Sequence, residues 1–125
     1  MKRIILALML TLCTVYGIAQ TSQKTYCEII GQGNPYGTSL IRVYIDIGQQ
    51  DKIFTSKSRI LVNKDNKKIE FNSMIDALNY MTQFGWKLEH PYAINDGGSC
   101  YYHYLLSKEI TDKKQIKEGL HFKNE

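Results

Sequence analysis

Charge of one sign, a nucleophile with a base beside it, and a ligand set for a metal ion are all missing from this chain. Its 125 residues carry 16 Lys and Arg against 12 Asp and Glu, a formal charge of +4. Lys2 and Arg3 sit at the front of an apolar leader, so without that leader the charge falls to +2. Such a near-balance, with no basic stripe interleaved with aromatics, speaks against nucleic acid as a partner. The chain has no Gly-x-Ser-x-Gly elbow, and its three histidines and three cysteines are scattered. Glycines cluster at Gly31-Gln32-Gly33-Asn34-Pro35-Tyr36-Gly37, but their spacing is not the dinucleotide fingerprint, and a strand rather than a helix follows. No cofactor site is therefore expected, and no catalytic residue can be named.

What is present begins with that leader. Met1-Lys2-Arg3 is a positive n-region, Ile4 to Tyr16 a nearly unbroken apolar run, and Gly17-Ile18-Ala19 supplies small residues for a signal peptidase. The reading is a signal peptide over residues 1–19, cleavage leaving Gln20 first, and a periplasmic or secreted product. A membrane anchor needs about 20 apolar residues, so contact with a membrane is expected only through the uncleaved leader. Lipidation at Cys13 is disfavoured by Leu12, which stands where a small residue belongs.

Cys13 departs with the leader, leaving Cys27 and Cys100. In an oxidising compartment two cysteines suggest one disulfide, worth roughly 4 kcal/mol on loop entropy. Two buried free thiols are the competing reading.

Hydrophobic periodicity then outlines the domain. Residues 20–38 hold a first strand around Tyr26 to Ile30 and the Gly-rich loop; residues 39–108 form the core; residues 109–125 read as a flexible tail, since only Ile116 and Leu120 would anchor a helix there. Ile41, Val43, Ile45 and Ile47 alternate with Arg42, Tyr44 and Asp46 in a half-buried strand. Arg59 to Val62 and Ile69 to Phe71 read as strands about a polar turn, whose Lys64, Lys67 and Lys68 are taken as a solvated tip. From Ser73 a helix is expected, with Ser73 and Asp76 as its cap, Met74, Ala77, Leu78 and Met81 on its buried side, Gly85 as its left-handed terminus and Trp86 folding back beneath it. The fold class is α+β: a mostly antiparallel sheet of five or six strands with one helix packed on one face.

The final hairpin, Trp86 to Ser107, can pair in two ways. An even loop at Asn95-Asp96-Gly97-Gly98 sets Ile94 against Ser99 and His90 against His103, a possible start of a metal site. An odd loop sets Ile94 against Cys100 and puts Trp86, Leu88, His90, Tyr92 and Ile94 on the inner face. The odd register separates polar from apolar residues better and is preferred. It leaves Tyr101 and His103 on the outer face, where with Tyr44 they form a tyrosine-rich surface suited to a protein or envelope partner. An alternative is a small envelope enzyme or metal-dependent protein centred on His90 and His103, although two histidines fall short of a zinc ligand set.

The segments Phe71-Asn72-Ser73-Met74, Asp76-Ala77-Leu78-Asn79-Tyr80-Met81, Gly85-Trp86 and Tyr102-His103-Tyr104-Leu105-Leu106 resemble those of small secreted Bacteroidota proteins. More distantly they are similar to domain of unknown function 4177. The closer resemblance spans roughly Leu40 to Lys108. It implies export and an α+β fold, and it brings no activity or catalytic residue with it.

Overall fold

A computed structural model describes residues 21–33, 41–50 and 59–123. The expected leader, the cleavage point at Gln20 and most of the Gly-rich loop lie outside the described residues. Four strands, β1 (Gln23–Gln32), β2 (Arg42–Asp46), β3 (Lys87–Asp96) and β4 (Ser99–Ile110), form one sheet in the order β2-β1-β4-β3. Every neighbouring pair is antiparallel. One α-helix, α1 (Met74–Thr82), precedes β3, and a 3-10 helix, Lys113–Lys117, follows β4. No helix among the described residues is long and apolar enough to cross a membrane.

The strand alternation decides which face is covered. Cys27 and Ile29 of β1, Val43 and Ile45 of β2 and Leu106 of β4 are buried together beneath α1. Gly31 belongs to the same side and continues β1, rather than breaking it as its glycine-rich context suggested. The first residue of α1 explains why: a Cβ on Gly31 would come within 2.2 Å of the Met74 sulfur, so only glycine lets the helix start this close to the strand.

The helix is bounded much as its sequence indicated. The Ser73 hydroxyl accepts a hydrogen bond from the Asp76 amide at 3.1 Å. The Asp76 carboxylate accepts from the Asn72 amide at 3.0 Å, one residue earlier than a standard capping box would have it. Gly85, at φ 84°, ends the helix, and Trp86 is 1 % exposed in the core. Met74, Ala77 and Met81 are buried and Leu78 partly so, whereas Ile75 is 56 % exposed.

Two expectations about the periphery need correction. The segments around Leu61–Val62 and Phe71 form isolated bridges, Val62 with Lys68 and Ile41 with Phe71, so the described sheet has four strands and not five or six. The turn between them is held by the Asn63 side chain, which accepts from the amides of Asp65 and Lys67, and by backbone bonds from the Asn63 amide to the Lys67 carbonyl and from the Ile69 amide to the Leu61 carbonyl on either side of the Val62–Lys68 bridge. Nor is the C-terminal segment a loose tail. Asp112 and Gln115 cap the 3-10 helix reciprocally, and Lys108 Nζ donates to the Gln115 carbonyl at 2.9 Å. Beyond it the chain turns back in extended form: the Val62 amide donates to the His121 carbonyl, the Lys123 amide to the Ile60 carbonyl, and Leu120 and Phe122 are 2 % and 4 % exposed in the core. A helical reading paired Leu120 with Ile116; the chain instead uses a strand-like i, i+2 pair.

The disulfide is also corrected. β1 does lie beside the last strand, but Cys27 stands opposite Leu106, six residues along β4 from Cys100. At about 3.4 Å per residue that is roughly 20 Å, against the 7 Å or so that a disulfide tolerates. Both thiols are free, and burial, with smaller contributions from Asp46 and Glu28, pushes Cys27 up to about 12.

Trp86→Ala and Phe122→Ala are each expected to lower unfolding free energy by about 3 to 5 kcal/mol, the range for deleting a large core aromatic. Trp86 Nε1 has no hydrogen-bond partner in its buried position, so Trp86→Phe should cost much less than Trp86→Ala. Urea unfolding of the three variants checks this. A Phe122→Ala protein as stable as its parent would mean that the C-terminal arm is not part of the core.

Candidate functional site on the open sheet face

The hairpin register departs from both sequence readings, and the departure builds the site. At its tip Gly97 and Gly98, with φ 56° and 85°, make a two-residue turn of the kind that matches strand twist. Asp96 pairs with Ser99, Asn95 with Cys100 and Ile94 with Tyr101. At the other end Leu88 still pairs with Leu106 and Lys87 with Ser107, the odd-loop register. The two registers are reconciled by a bulge between Leu88 and His90, where Glu89 is the extra residue. Past the bulge every side chain changes face. His90, Tyr92 and Ile94, expected inside beside Tyr104 and Cys100, therefore stand on the outer face.

Glu89 itself is held from two strands. Its carboxylate accepts from the Ser107 hydroxyl of β4 and lies 2.6 Å from Lys24 Nζ of β1. Pro91, two residues on, has no amide hydrogen to offer, which suits an edge strand.

Because directly paired residues share a face, the register defines rows across the outer side of the sheet. One row runs Tyr44, Ile30, His103, Tyr92; the next Arg42, Gln32, Tyr101, Ile94; a third Asp46, Glu28, Leu105, His90. Tyr44, Tyr101 and His103, the residues singled out in the sequence, are thus on one surface in two adjacent rows. His90 and His103 share that surface but are not paired, since His90 lies opposite Leu105 and His103 opposite Tyr92.

The centre is a stacked aromatic group around one carboxylate. The Tyr92 and His103 rings are 4.7 Å apart and within 9° of parallel, and His90 stacks on Tyr92 at 6.2 Å. The Tyr92 hydroxyl donates to Glu28 Oε1 at 2.5 Å. His103 Nδ1 lies 3.3 Å from the same oxygen, close enough for an ion pair when charged but without the alignment of a hydrogen bond. That bond to Glu28 raises the Tyr92 phenol above its ordinary value, because ionising it would set two anions side by side. Gln32 Nε2 donates to the Tyr101 hydroxyl at 3.3 Å. Tyr26, Ile94 and Tyr92 remain 53 %, 48 % and 40 % exposed.

Described cavities lie elsewhere: one of about 520 Å³ sits between Ile47 to Gln50 and the 3-10 helix, and another of about 370 Å³ beside Asn63 and His121. A third, of about 370 Å³, touches this face at its corner, where Lys24, Lys87, Glu89 and Ser107 are among its lining residues. Among the described residues no group of three or more His, Cys, Asp or Glu is placed to hold a metal ion. Chemically the arrangement offers hydroxyls, amides and imidazoles around an apolar aromatic centre, which suits contact more than bond-breaking. Glu28, His90, Tyr92 and Ile94 were not singled out as a surface from sequence. Pro91 in an alternating strand was the available signal, since proline inside a sheet points to an edge or a bulge.

The Glu89 anchor gives a pH signature. Lys24 first, and then Ser107, hold the Glu89 carboxyl below its ordinary 4.5, and Glu89 holds Lys24 above its ordinary 10.5. A lowered carboxyl contributes stability that is present above pH 4.5 and lost as pH falls through the folded value; the raised lysine contributes below pH 10.5 and loses its share above. Glu89→Gln is therefore expected to destabilise the protein slightly and evenly at neutral pH, with the difference shrinking in acid and in high salt, because the pair is largely exposed. Paired thermal melts at neutral and strongly acidic pH check this. An equal deficit at both would mean that the charge interaction is not what Glu89 contributes.

Comparison of the chain with protein-family models, with curated proteins and with solved structures returned no match.

Proposed function

We propose that the chain is an exported, non-enzymatic binding module that engages a protein or envelope component through the outer face of its sheet. The observation that carries this is the face itself. Helix α1, the 60–71 turn and the C-terminal arm all pack on the other side of the sheet, so among the described residues the outer face has no cover. Its centre is nonetheless aromatic and aliphatic, with Tyr26, Tyr92 and Ile94 open to solvent. Tyrosines offer large contact area at low entropy cost, and aromatic centres are what interface cores are enriched in. None of the described cavities is lined by Tyr92, His103 or Ile94, which favours a macromolecule over a small ligand that would need a concave site. Near-balanced charge disfavours nucleic acid, and the leader argues for a partner outside the cytoplasm.

An enzyme or metal-dependent protein centred on His90 and His103 is the other class. Such a site would have to recruit Glu28, whose oxygen is shared between Tyr92 and His103.

Photo-crosslinking from the native compartment tests the reading. A photoreactive phenylalanine analogue at Ile94, on the open face, is expected to give a discrete adduct, and the same probe at the exposed Ile75 of α1 is expected to give none. No adduct from Ile94, or the same adducts from both positions, would overturn it.

A further inference from the structure

We infer that the occupant of the open face is a second copy of this chain, packed face to face about a two-fold axis that crosses the strands at the row of Tyr44, Ile30, His103 and Tyr92. This rests on the reading of that face as the binding surface and adds the identity of the partner.

Size permits it. Three strands of ten to twelve residues and β2 of five, spaced about 4.8 Å apart, cover roughly 600 Å² in plan. Two such faces together bury about 1,200 Å², the lower end of the range for a stable, specific interface.

The charge pattern is self-complementary about that row. In β2, Arg42 and Asp46 lie equally far on either side of Tyr44. In β3, Asp96 and Lys87 lie two rows on either side of Tyr92 once the bulge is counted. The two-fold therefore brings Arg42 onto the partner's Asp46 and Asp96 onto the partner's Lys87, each contact occurring twice. Asp46 already holds Arg59 at 3.1 Å, and two guanidinium groups can share one carboxylate. Gln32 falls on the partner's Glu28, and the apolar pairs meet in the middle. Among these pairs no acid meets an acid, and Glu89, which lies beside Lys87 on this face, is already matched by Lys24 at 2.6 Å. An axis through the neighbouring row of Glu28 would oppose Glu28 to the partner's Glu28 and Asp46 to the partner's Asp46, so charge selects the Tyr44 row.

Edge-to-edge assembly is the other way for a sheet to self-associate, and β3 is built against it. It carries the Glu89 bulge and Pro91 within an edge of ten exposed residues, both of which frustrate pairing with a further strand. Face-to-face packing at the usual angle near −30° uses neither edge.

Sedimentation velocity of the exported chain over a wide concentration range tests the inference. A reversible dimer is expected. Lys87→Asp, on an exposed edge position, opposes two acids twice and should weaken dimerisation by about tenfold or more; Lys87→Asp with Asp96→Lys should restore it. Circular dichroism melts show that each variant is folded. A protein that stays monomeric at all concentrations overturns the inference, as does a dimer indifferent to Lys87→Asp or not rescued by the double exchange. Crosslink mass separates this failure from the failure of the binding reading. An Ile94 adduct of some other mass removes the second copy and keeps the surface.

Discussion

The bulge at Glu89 is the constraint on which the rest of this structure depends. A side chain in a strand has a period of two, so one extra residue exchanges every later position between the faces. Before the bulge, Trp86 and Leu88 face the side that packs under α1. After it, His90, Tyr92 and Ile94 face outward. Without it Tyr92 could not reach Glu28 or stack on His103, and the outer face would lose its aromatic centre. The extra residue is secured by its own side chain, which ties β3 to Ser107 of β4 and to Lys24 of β1.

That exchange is possible because the core beneath α1 closes without it, even though Leu88 and Tyr102 on that side of the sheet remain 40 % exposed. Ile29, Ile45 and Leu106 from three strands meet Ala77 and Met81 of the helix, and Trp86, Phe71, Leu61, Leu120 and Phe122 close the remaining sides. The residues β3 contributes beyond Leu88 are not required there. The outer half of the hairpin is free to serve the opposite face, and Pro91 and the Gly97-Gly98 turn sit where they do not disturb the buried half.

Much of the fold was legible because it is local. Ser73, the Met74-Ala77-Met81 stripe, Gly85 and Trp86 form one continuous helix-and-stop pattern, and the alternation from Ile41 to Ile47 has one interpretation. What could not be read depends on partners distant in sequence. Gly31 looks like a breaker until Met74 is set above it, and Leu120 and Phe122 look like a tail until Leu61 is placed beside them. The expected Cys27 to Cys100 bond fails although the strands that carry the two cysteines adjoin, because sequence carries no signal for the six-residue offset between them. The site was half visible. Tyr44, Tyr101 and His103 lie in strands whose alternation is unbroken at those positions, whereas His90, Tyr92 and Ile94 lie beyond a bulge that alternation cannot report.

The proposed association uses the face opposite α1, and which side chains that face presents follows from where β3 changes register. Nuclear Overhauser contacts across the β3–β4 pair test that placement most directly. Contacts from the Tyr92 ring to His103 and Glu28, with Ile94 close to Tyr101, are the predicted result. Contacts from Tyr92 to Trp86 or Met81, with Ile94 opposite Cys100, would mean an unbulged strand and would contradict the account.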